Sequence, residues 1–268
     1  MAGAFRLMGV VNVTPDSFSD GGLYLDHAAA VAHALQLAGE GADILDFGGE
    51  STRPGAEEVP AEVELSRVVP VIAAVGAAVF GVTLSVDTSK AAVASAALAA
   101  GASLVNDVTA FRGDEAMAGV VADAGAECCL MHMLGSPRSM QIDPRYADVV
   151  SDVKAFLEER MAFAVEAGVA EERIMLDPGI GFGKTVDHNL ALLARIDEIV
   201  ALGRPVVIGT SRKSFLGKLT GAPVDARLPG TIATNVIALL HGASVFRVHE
   251  VAAVGDALKV AAATVSAR

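Results

Sequence analysis

Aromatic residues are scarce in this chain of 268 residues, which has no tryptophan and two tyrosines, so that aromatics make up only 4%. A core built from a 53% apolar share must therefore be mainly aliphatic. Aliphatic cores are typical of helices packed on a buried parallel sheet. A phenylalanine that stands in a polar loop of such a chain is a candidate for a specific role.

Basic residues are also few, because 20 Lys and Arg face 32 Asp and Glu and leave a formal net charge of -12. Nucleic acids and anionic membranes attract basic surfaces and repel acidic ones. The balance therefore predicts neither nucleic acid nor membrane as a partner. If the ligand is an anion, a local group of basic side chains must overcome this background.

Only two cysteines are present, and Cys128 and Cys129 are adjacent in an apolar run. They match no zinc or redox spacing, so we expect reduced core residues. No apolar run reaches the roughly 18 residues of a membrane span, and the first residues do not resemble a signal peptide. We expect a soluble protein of the cytoplasm.

Short apolar runs with β propensity recur along the chain, and amphipathic segments with a period of 3.6 residues lie between them. The clearest helix is predicted from Ala147 to Ala167. The predicted strands are Leu7 to Val11, Ile44 to Phe47, Thr83 to Val86, Leu104 to Val105, Cys128 to Met131, Ile174 to Leu176, Val206 to Ile208 and Val245 to Val248.

Eight strands and eight helices in strict alternation predict an α/β fold, a single-domain (β/α)8 TIM barrel over residues 1–268. Such barrels typically need about 250 residues. No linker rich in Ser or Pro separates a second domain. A doubly wound open sheet is the alternative.

Polar side chains follow most of the predicted strands. Because the loops after the strands of a barrel line one mouth, we expect these side chains to converge there. The acceptors are Asn12, Asp87, Asn106 and Asp177, and the donors are Lys213, Arg247 and His249. Neither a nucleophile elbow nor a His-Glu-x-x-His motif occurs, so the sequence does not predict a protein nucleophile or zinc chemistry.

Asp87 stands at the end of the third predicted strand, just before a helix. One interpretation is an N-cap carboxylate for that helix. Thr88 and Ser89 follow directly and are better placed to cap it. We therefore favour a site role, in which the two carboxylate oxygens of Asp87 accept hydrogen bonds from two adjacent N–H groups of a ligand.

The segment from Asp177 to Thr185 ends in Gly-Lys-Thr and resembles a phosphate-binding loop. A Walker A loop needs glycine five residues before the lysine, and Pro178 occupies that position. The glycines instead predict a backbone that approaches a flat ligand closely. Phe182 would stack on or border a ring, or alternatively pack back over the barrel rim.

Arg247 and His249 alternate along the last predicted strand and so face the same side. Strands 7 and 8 of such barrels often end in an anion site, which this pair could supply. A hydrogen-bonded rim histidine is the alternative for His249. Lys213 follows the seventh strand and needs a partner such as a ligand carbonyl, a ring nitrogen or Asp177, since an unpaired buried ammonium is costly.

Two long polar connections, Asp16 to Gly22 and Thr52 to Glu58, follow the first and second predicted strands. Such connections commonly serve as lids over a site. Ordinary solvated turns would have a similar composition.

Four motifs make the chain resemble the bacterial dihydropteroate synthases, folate-pathway enzymes of the pterin-binding superfamily. The resemblance runs from about Met8 to His249. The motifs are Asn-Val-Thr-Pro-Asp-Ser-Phe-Ser-Asp-Gly-Gly, Gly-Gly-Glu-Ser-Thr-Arg-Pro-Gly, Asp-Pro-Gly-Ile-Gly-Phe-Gly-Lys and Ser-Arg-Lys-Ser-Phe-Leu-Gly.

The resemblance implies condensation of 6-hydroxymethyl-7,8-dihydropterin diphosphate with p-aminobenzoate to 7,8-dihydropteroate and pyrophosphate. It implies a pterin site of Asp87, Asn106, Asp177 and Lys213, and a diphosphate site of Arg247, His249 and, through Mg2+, Asn12. It implies a p-aminobenzoate site of Thr52, Arg53, Pro54, Ser211, Phe18 and Phe182, assisted by Asp16. Within that set, Asp16, Asp87, Lys213 and Arg247 are the predicted catalytic residues.

The resemblance further implies a homodimer through helices away from the mouth, and inhibition by sulfonamides, which imitate p-aminobenzoate. Two alternatives stay open. One is a methyltransferase domain that presents methyltetrahydrofolate to a corrinoid, which would share the acidic pterin pocket without needing the Arg53-Pro54 segment or the anion pair. The other is a pterin-binding paralogue without catalysis.

Overall fold

The computed structural model of the protein describes residues 5–14, 23–52 and 55–267. Eight strands lie within these ranges. They are β1 Arg6–Asn12, β2 Ile44–Gly48, β3 Thr83–Asp87, β4 Leu104–Asp107, β5 Glu127–Met131, β6 Ile174–Asp177, β7 Val207–Ile208 and β8 Val245–Val248. Several predicted strands were one or two residues too short, because their polar end residues still take part in the ladder.

The strands form one parallel sheet in the order β6-β5-β4-β3-β2-β1-β8-β7. An isolated bridge between Leu176 and Val206 joins the two outer strands, and the Leu176 amide donates to the Pro205 carbonyl at 2.9 Å. The sheet therefore closes into a nearly complete barrel. The TIM-barrel prediction is confirmed, and the open-sheet alternative is wrong.

Ten α-helices cover the barrel in the described ranges. They are α1 Leu23–Gly39, α2 Ala61–Gly76, α3 Ala91–Ala99, α4 Met117–Ala124, α5 Val149–Glu166, α6 Val186–Ala194, α7 Asp197–Val200, α8 Ser214–Thr220, α9 Leu228–Leu240 and α10 Val251–Ser266. The helix predicted from 147 to 167 is α5, which begins later because the Asp148 carboxylate caps it by accepting from the Ser151 amide at 3.1 Å.

The strict alternation of eight strands with eight helices was wrong in two places, since α6 and α7 both precede β7 and α8 and α9 both precede β8. Gly221 ends α8 in a left-handed conformation with φ 74°. Pro223 and Pro229 follow, and proline favours the first turn of a helix over its interior. The segment therefore breaks into two helices.

Two apolar cores result. The larger one lies between the barrel and its helices. The smaller one fills the barrel with side chains from seven strands, namely Met8, Ile44, Leu104, Cys129, Met175, Val207 and Val245. Cys128 and Cys129 are buried free thiols, as predicted. The helices of the described ranges include none whose length and hydropathy would let it cross a membrane.

Candidate active site

A row of strand ends forms the floor of the barrel mouth. In the sheet register Asn12 of β1 pairs with Gly48 of β2, Gly48 with Asp87 of β3, and Asp87 with Asn106 of β4. A Cβ atom at Gly48 would lie 3.8 Å from both Asn12 Oδ1 and Asp87 Oδ2. Asn12, Asp87 and Asn106, three predicted site residues, therefore lie in one row, and Asn12 and Asp87 flank Gly48.

Asp46 of β2 is fully buried beneath this row and accepts three hydrogen bonds. The donors are Ser85 Oγ at 2.6 Å, Asn106 Nδ2 at 3.0 Å and Arg247 Nε at 2.7 Å. Sequence analysis missed Asp46, because it treated Ile44 to Phe47 as a plain apolar strand. The sequence does contain a signal for Asp46. In a strand, residues two apart face the same side, so Asp46 faces the barrel interior together with Ile44.

Arg247 joins two carboxylates across the barrel. Besides its bond to Asp46, its Nη2 donates to Asp87 Oδ2 at 2.8 Å. Burial alone would lower the pKa of Arg247, but the charges of Asp46 and Asp87 outweigh it and raise this pKa. The sequence analysis expected this guanidinium to serve an anion, and here two of its nitrogens already bind carboxylates.

His249 lies just beyond the end of β8, close to the segment that follows β7. Its Nδ1 is 2.9 Å from Ser211 Oγ, and its amide donates to the same oxygen at 3.2 Å. The neighbouring Arg212 donates through Nε to Glu250 at 2.6 Å. Ser211 and His249 are therefore brought together at the mouth, while anion binding by Arg247 and His249 stays a prediction.

Asp87 does not cap α3, so that alternative was wrong. The N-cap residue of α3 is Lys90, the Thr88 hydroxyl accepts from the Lys90 amide at 3.2 Å, and Asp114 accepts from the Ala91 amide at 2.9 Å. Burial raises the pKa of Asp87 to about 7, against the opposing charge of Arg247. A carboxylate with such a pKa in a cleft is a candidate for a functional group.

Asp177 and Lys213 are two further charged residues of the mouth, and each affects the other through its charge. Lys213 Nζ donates to the Ile180 carbonyl and lies 4.5 Å from the centre of the Phe182 ring. Asp177 instead accepts from the Gly179 amide at 2.7 Å, so Asp177 influences Lys213 through charge and makes no direct bond to it. Burial raises the pKa of Asp177 and lowers that of Lys213 to about 8.

The glycine-rich connection after β6 packs directly on the connection after β5. A Cβ atom at Gly179, where φ is +66°, would lie 1.8 Å from the His132 carbonyl oxygen. Lys184 is buried and donates to the Phe182 carbonyl at 3.0 Å, with its Nζ 2.9 Å from His132 Nδ1. Burial lowers the pKa of His132 to about 3, so this ring is neutral. Lys184 is therefore engaged within the loop, which supports the rejection of a phosphate loop.

Phe182 is half-buried and packs against an apolar group of Val108, Met131, Met133 and Met140. Lys213 Nζ lies over its ring. The ring therefore packs on the rim, as the alternative interpretation predicts, and its contact with a ligand ring stays a prediction.

A cavity of about 200 Å³ opens beside Asp87, between the connection after β2 and the connections after β3 to β5. Its wall includes Ser51, Thr52, Thr88, Ser136 and Pro137. Thr52 and Asp87, predicted to serve different substrates, therefore border one space. The predicted Asp16, Phe18, Arg53 and Pro54 lie outside the described residues.

The comparisons with known proteins agree with this geometry. A family model described as pterin binding enzyme matches residues 8–249. A dihydropteroate synthase of Neisseria meningitidis serogroup C is 49% identical over 258 residues, which cover 95% of this chain and 90% of the relative. The chain belongs to the dihydropteroate synthases of the pterin-binding enzyme family.

Solved structures of other dihydropteroate synthases have the same fold. The Xanthomonas albilineans enzyme with 4-aminobenzoic acid has a TM-score of 0.93 at 48% identity and covers 99% of this chain and 94% of its own. The Yersinia pestis enzyme in a sulfonamide drug complex has a TM-score of 0.93 at 43% identity, with coverages of 99% and 96%. The resemblance stated from the motifs is confirmed, and this dihydropteroate synthase family places the chain among the transferases of folate biosynthesis. The methyltransferase and non-catalytic alternatives are not favoured.

Proposed function

We propose that this chain condenses 6-hydroxymethyl-7,8-dihydropterin diphosphate with p-aminobenzoate, giving 7,8-dihydropteroate and pyrophosphate. The observation that carries the proposal is the buried layer in which Asp46 holds both Asn106 and Arg247 beneath the row of strand ends. Such a layer offers fixed acceptors and donors to a flat, polar ring at the barrel mouth, and membership of the synthase family supports this ligand.

The pterin ring fits the chemistry of four side chains. Asp87 and Asp177 are acceptors for the amino and ring N–H groups, since an ionised carboxylate has only acceptor sites. Asn106 and Lys213 supply donors for the oxo group and a ring nitrogen. Each of the four is buried or half-buried in the mouth, where hydrogen bonds to charged groups are strong.

The reaction breaks the C–O bond between the pterin methylene and the diphosphate, and the electron pair leaves with the diphosphate. The dihydropterin cation that remains is stabilised by the charges of Asp87 and Asp177. The aryl amine then attacks the methylene carbon, forms the C–N bond and gives up one proton. The protein supplies positioning, fixed charge and exclusion of water instead of a covalent nucleophile.

Arg247 and His249 are proposed to hold the diphosphate at the strand 8 edge. In the structure Arg247 bonds Asp46 and Asp87 through Nε and Nη2, and a guanidinium has five N–H donors in all. The remaining donors can serve an anion without loss of the carboxylate contacts. Arg247 would thus link the pterin floor to the leaving group.

Mg2+ is proposed to bind with the diphosphate through Asn12. Mg2+ takes oxygen ligands, and it is usually bound by one or two carboxylates together with substrate phosphates; here the amide oxygen of Asn12 would take the place of the carboxylate. Asn12 Oδ1 stands at the row of strand ends, and within the described ranges no group of three His, Cys, Asp or Glu side chains could hold a metal ion. An amide oxygen plus diphosphate oxygens fits this donor set. The ion would neutralise charge on the leaving group.

The second substrate is proposed to bind between Thr52, Arg53, Pro54, Ser211, Phe18 and Phe182, with Asp16 assisting. Among the described members, Thr52 lines the cavity beside Asp87, and Phe182 borders the mouth above Lys213. We also propose that sulfonamides compete with p-aminobenzoate here, as the Yersinia relative was solved in a sulfonamide complex. Inhibition that is insensitive to the p-aminobenzoate concentration would contradict this.

A homodimer is proposed as well. Helices α9 and α10 pack on each other away from the mouth and expose Ile237, Leu240 and Val260. A contiguous exposed apolar patch marks an interface, and we propose that these three side chains belong to one. Sedimentation should give a dimer, and Leu240→Glu should shift it toward monomer.

A cytoplasmic location is proposed from the buried free thiols of Cys128 and Cys129, since reducing compartments keep thiols unpaired. Cell fractionation with an antibody to the chain tests this proposal.

The deciding experiment incubates the purified protein with the pterin diphosphate, p-aminobenzoate and Mg2+ and follows pyrophosphate and dihydropteroate. We expect stoichiometric formation of both products. Pterin binding without turnover would overturn the synthase proposal and favour the paralogue. Omission of Mg2+ should lower the rate while pterin binding persists.

A further inference from the structure

The carboxylate of Glu50 joins both ends of the connection between β2 and α2. Its Oε1 accepts from the Val59 amide at 3.2 Å, and its Oε2 accepts from Lys90 Nζ. The segment from Ser51 to Glu58 lies between these two points. Lys90 itself stands three residues after Asp87 and is the N-cap residue of α3.

A second carboxylate holds the same ammonium group. Glu64 of α2 is fully buried, and its Oε2 accepts from Lys90 Nζ at 2.7 Å. Burial alone would lower the pKa of Lys90, but the hydrogen bonds to Glu50 and Glu64 outweigh it and raise this pKa. Lys90 is therefore charged, and it connects the loop, α2 and the end of β3.

Other contacts fix the same connection at further points. Arg67 Nη1 donates to the Gly49 carbonyl at 2.7 Å, and the Gly55 amide donates to the Pro137 carbonyl at 3.2 Å. A Cβ atom at Gly49 would lie 2.9 Å from Glu64 Cγ. The connection thus rests on α2 at its start and touches the connection after β5 at its middle, while Glu50 links its start to Val59.

We propose that Glu50 and Lys90 are positioning residues for the second substrate. Their ion pair holds Ser51 and Thr52 at the wall of the cavity that also contains Asp87, and it thereby sets the affinity for the aminobenzoate. The pterin floor depends on Asp46 and Arg247, whose hydrogen bonds join β2, β3, β4 and β8 instead. The inference rests on the proposed function and adds to it residues that determine the affinity for one substrate.

The first test compares KM values for the two substrates. In Glu50→Ala both hydrogen bonds of the carboxylate are lost, and we expect KM for p-aminobenzoate to rise about tenfold, a usual loss for a charged hydrogen bond. KM for the pterin diphosphate should change by less than about twofold, because the residues proposed to bind that substrate are unchanged. Glu50→Gln can still accept from Val59 and should give an intermediate KM.

The matched control is Glu57→Gln on the same connection. Glu57 is 90% exposed and lies 3.9 Å from Arg138, itself 69% exposed. Removing its charge should leave both KM values unchanged, since exposed pairs contribute little. Unchanged KM for p-aminobenzoate in Glu50→Ala, or an equal rise for both substrates, would overturn the inference.

Hydrogen exchange gives a test that needs no turnover. The Val59 amide should exchange faster in Glu50→Ala than in the wild type or Glu57→Gln, because its acceptor has been removed. Equal exchange in all three proteins overturns the inference. A wild type without turnover overturns the proposed function instead, and the exchange result then decides whether Glu50 holds the connection.

Discussion

Two clusters in this molecule have the same composition, two carboxylates around one cation, but one joins strands of the barrel and the other joins a connection to two helices. In the first, the inner cluster, Arg247 bonds Asp46 and Asp87. In the second, the outer cluster, Lys90 bonds Glu50 and Glu64. The inner cluster is built from three strands, and the outer one from a connection, a helix and a helix cap.

The difference shows that two carboxylates around one cation can have different roles, depending on which elements of the fold carry them. Strand positions are fixed by the ladder, and the planar guanidinium of Arg247 offers bonds in a rigid fork, so the inner cluster sets geometry for a ligand. Lys90 is a compact charge on a flexible stem and can join elements of different kinds. We therefore propose that the inner cluster contacts the substrate directly, while the outer one acts through the connection that it holds.

The largest effect should follow Asp46→Ala. The change leaves Arg247 and Asn106 without their buried acceptor, and breaking a buried pair costs about 3 kcal/mol or more of stability. Because the two donors then lose their fixed positions at the floor, we also expect kcat/KM to fall by about 100-fold, roughly the value of a charged hydrogen bond. Steady-state kinetics with both substrates measure the loss. Asp46→Asn keeps an acceptor oxygen and should lose less. A kcat/KM near the wild-type value in Asp46→Ala would remove the inner cluster from the site.

A smaller effect, with a pH signature, should follow Asp87→Asn. Since burial raises the pKa of Asp87 to about 7 against the charge of Arg247, with Asp46, Glu64 and Asp107 raising it further, the carboxylate ionises between pH 6 and pH 8. Affinity for the pterin substrate should rise about tenfold over that interval. Above it, deprotonation of Lys213, whose pKa is about 8, should lower the affinity again. Calorimetric titration at several pH values measures both limbs.

In the variant the rising limb should disappear, and affinity at pH 8 should be about 10- to 100-fold weaker, the value of a charged hydrogen bond. The same group affects stability in the unliganded protein. Its folded-state pKa lies above the unfolded value of 3.8, so the folded state binds the extra proton. The contribution of Asp87 to the free energy of unfolding is therefore lost as pH rises from about 4 through 7. Persistence of the rising limb in Asp87→Asn would assign it to another group.

The smallest effect on catalysis should follow Glu64→Gln. Glu64 Oε1 is buried and has no hydrogen-bond partner among the described residues, and the amide would place two donors there without acceptors. We expect a loss of about 1 to 3 kcal/mol in the free energy of unfolding, measured by urea titration. The Glu50–Lys90 pair persists, so KM for p-aminobenzoate should stay close to that of the wild type. A KM shift as large as that of Glu50→Ala would mean that Glu64 and Glu50 are both needed to position the second substrate.

Much of the fold could be predicted because most of the apolar runs end in a polar motif. That regularity alone predicts that Asn12, Asp87, Asn106 and Asp177 lie at the barrel mouth. The pattern could not show that α8 and α9 are separate helices, since short helices carry little periodicity. The sequence pattern also could not identify the partner of Lys213. That partner is the backbone carbonyl of Ile180, and a backbone group is the same whatever the side chain.

Asp46, Glu64 and Lys90 escaped prediction for a common reason. A single charge within an apolar strand or an amphipathic helix resembles a surface position, and only the fold shows that Asp46 and Glu64 are fully buried. Their partners are distant in sequence, as with Arg247, 201 residues from Asp46. Pairing over such distances depends on the closure of the barrel.

The glycine-rich connection after β6 has a consequence for directed evolution. At Gly179 a methyl group would collide with the His132 carbonyl, and at Gly183 it would lie 2.6 Å from Leu134 Cβ, both with positive φ. In a library that randomises residues 178–184, nearly every variant without glycine at position 179 or 183 should therefore fail to fold, whether or not a ligand is present. At these two sites the motif reflects the crowding of one loop against another, and Gly181 between them is also restricted, since its φ is +86° and a Cβ atom there would lie 2.9 Å from Lys213 Cδ.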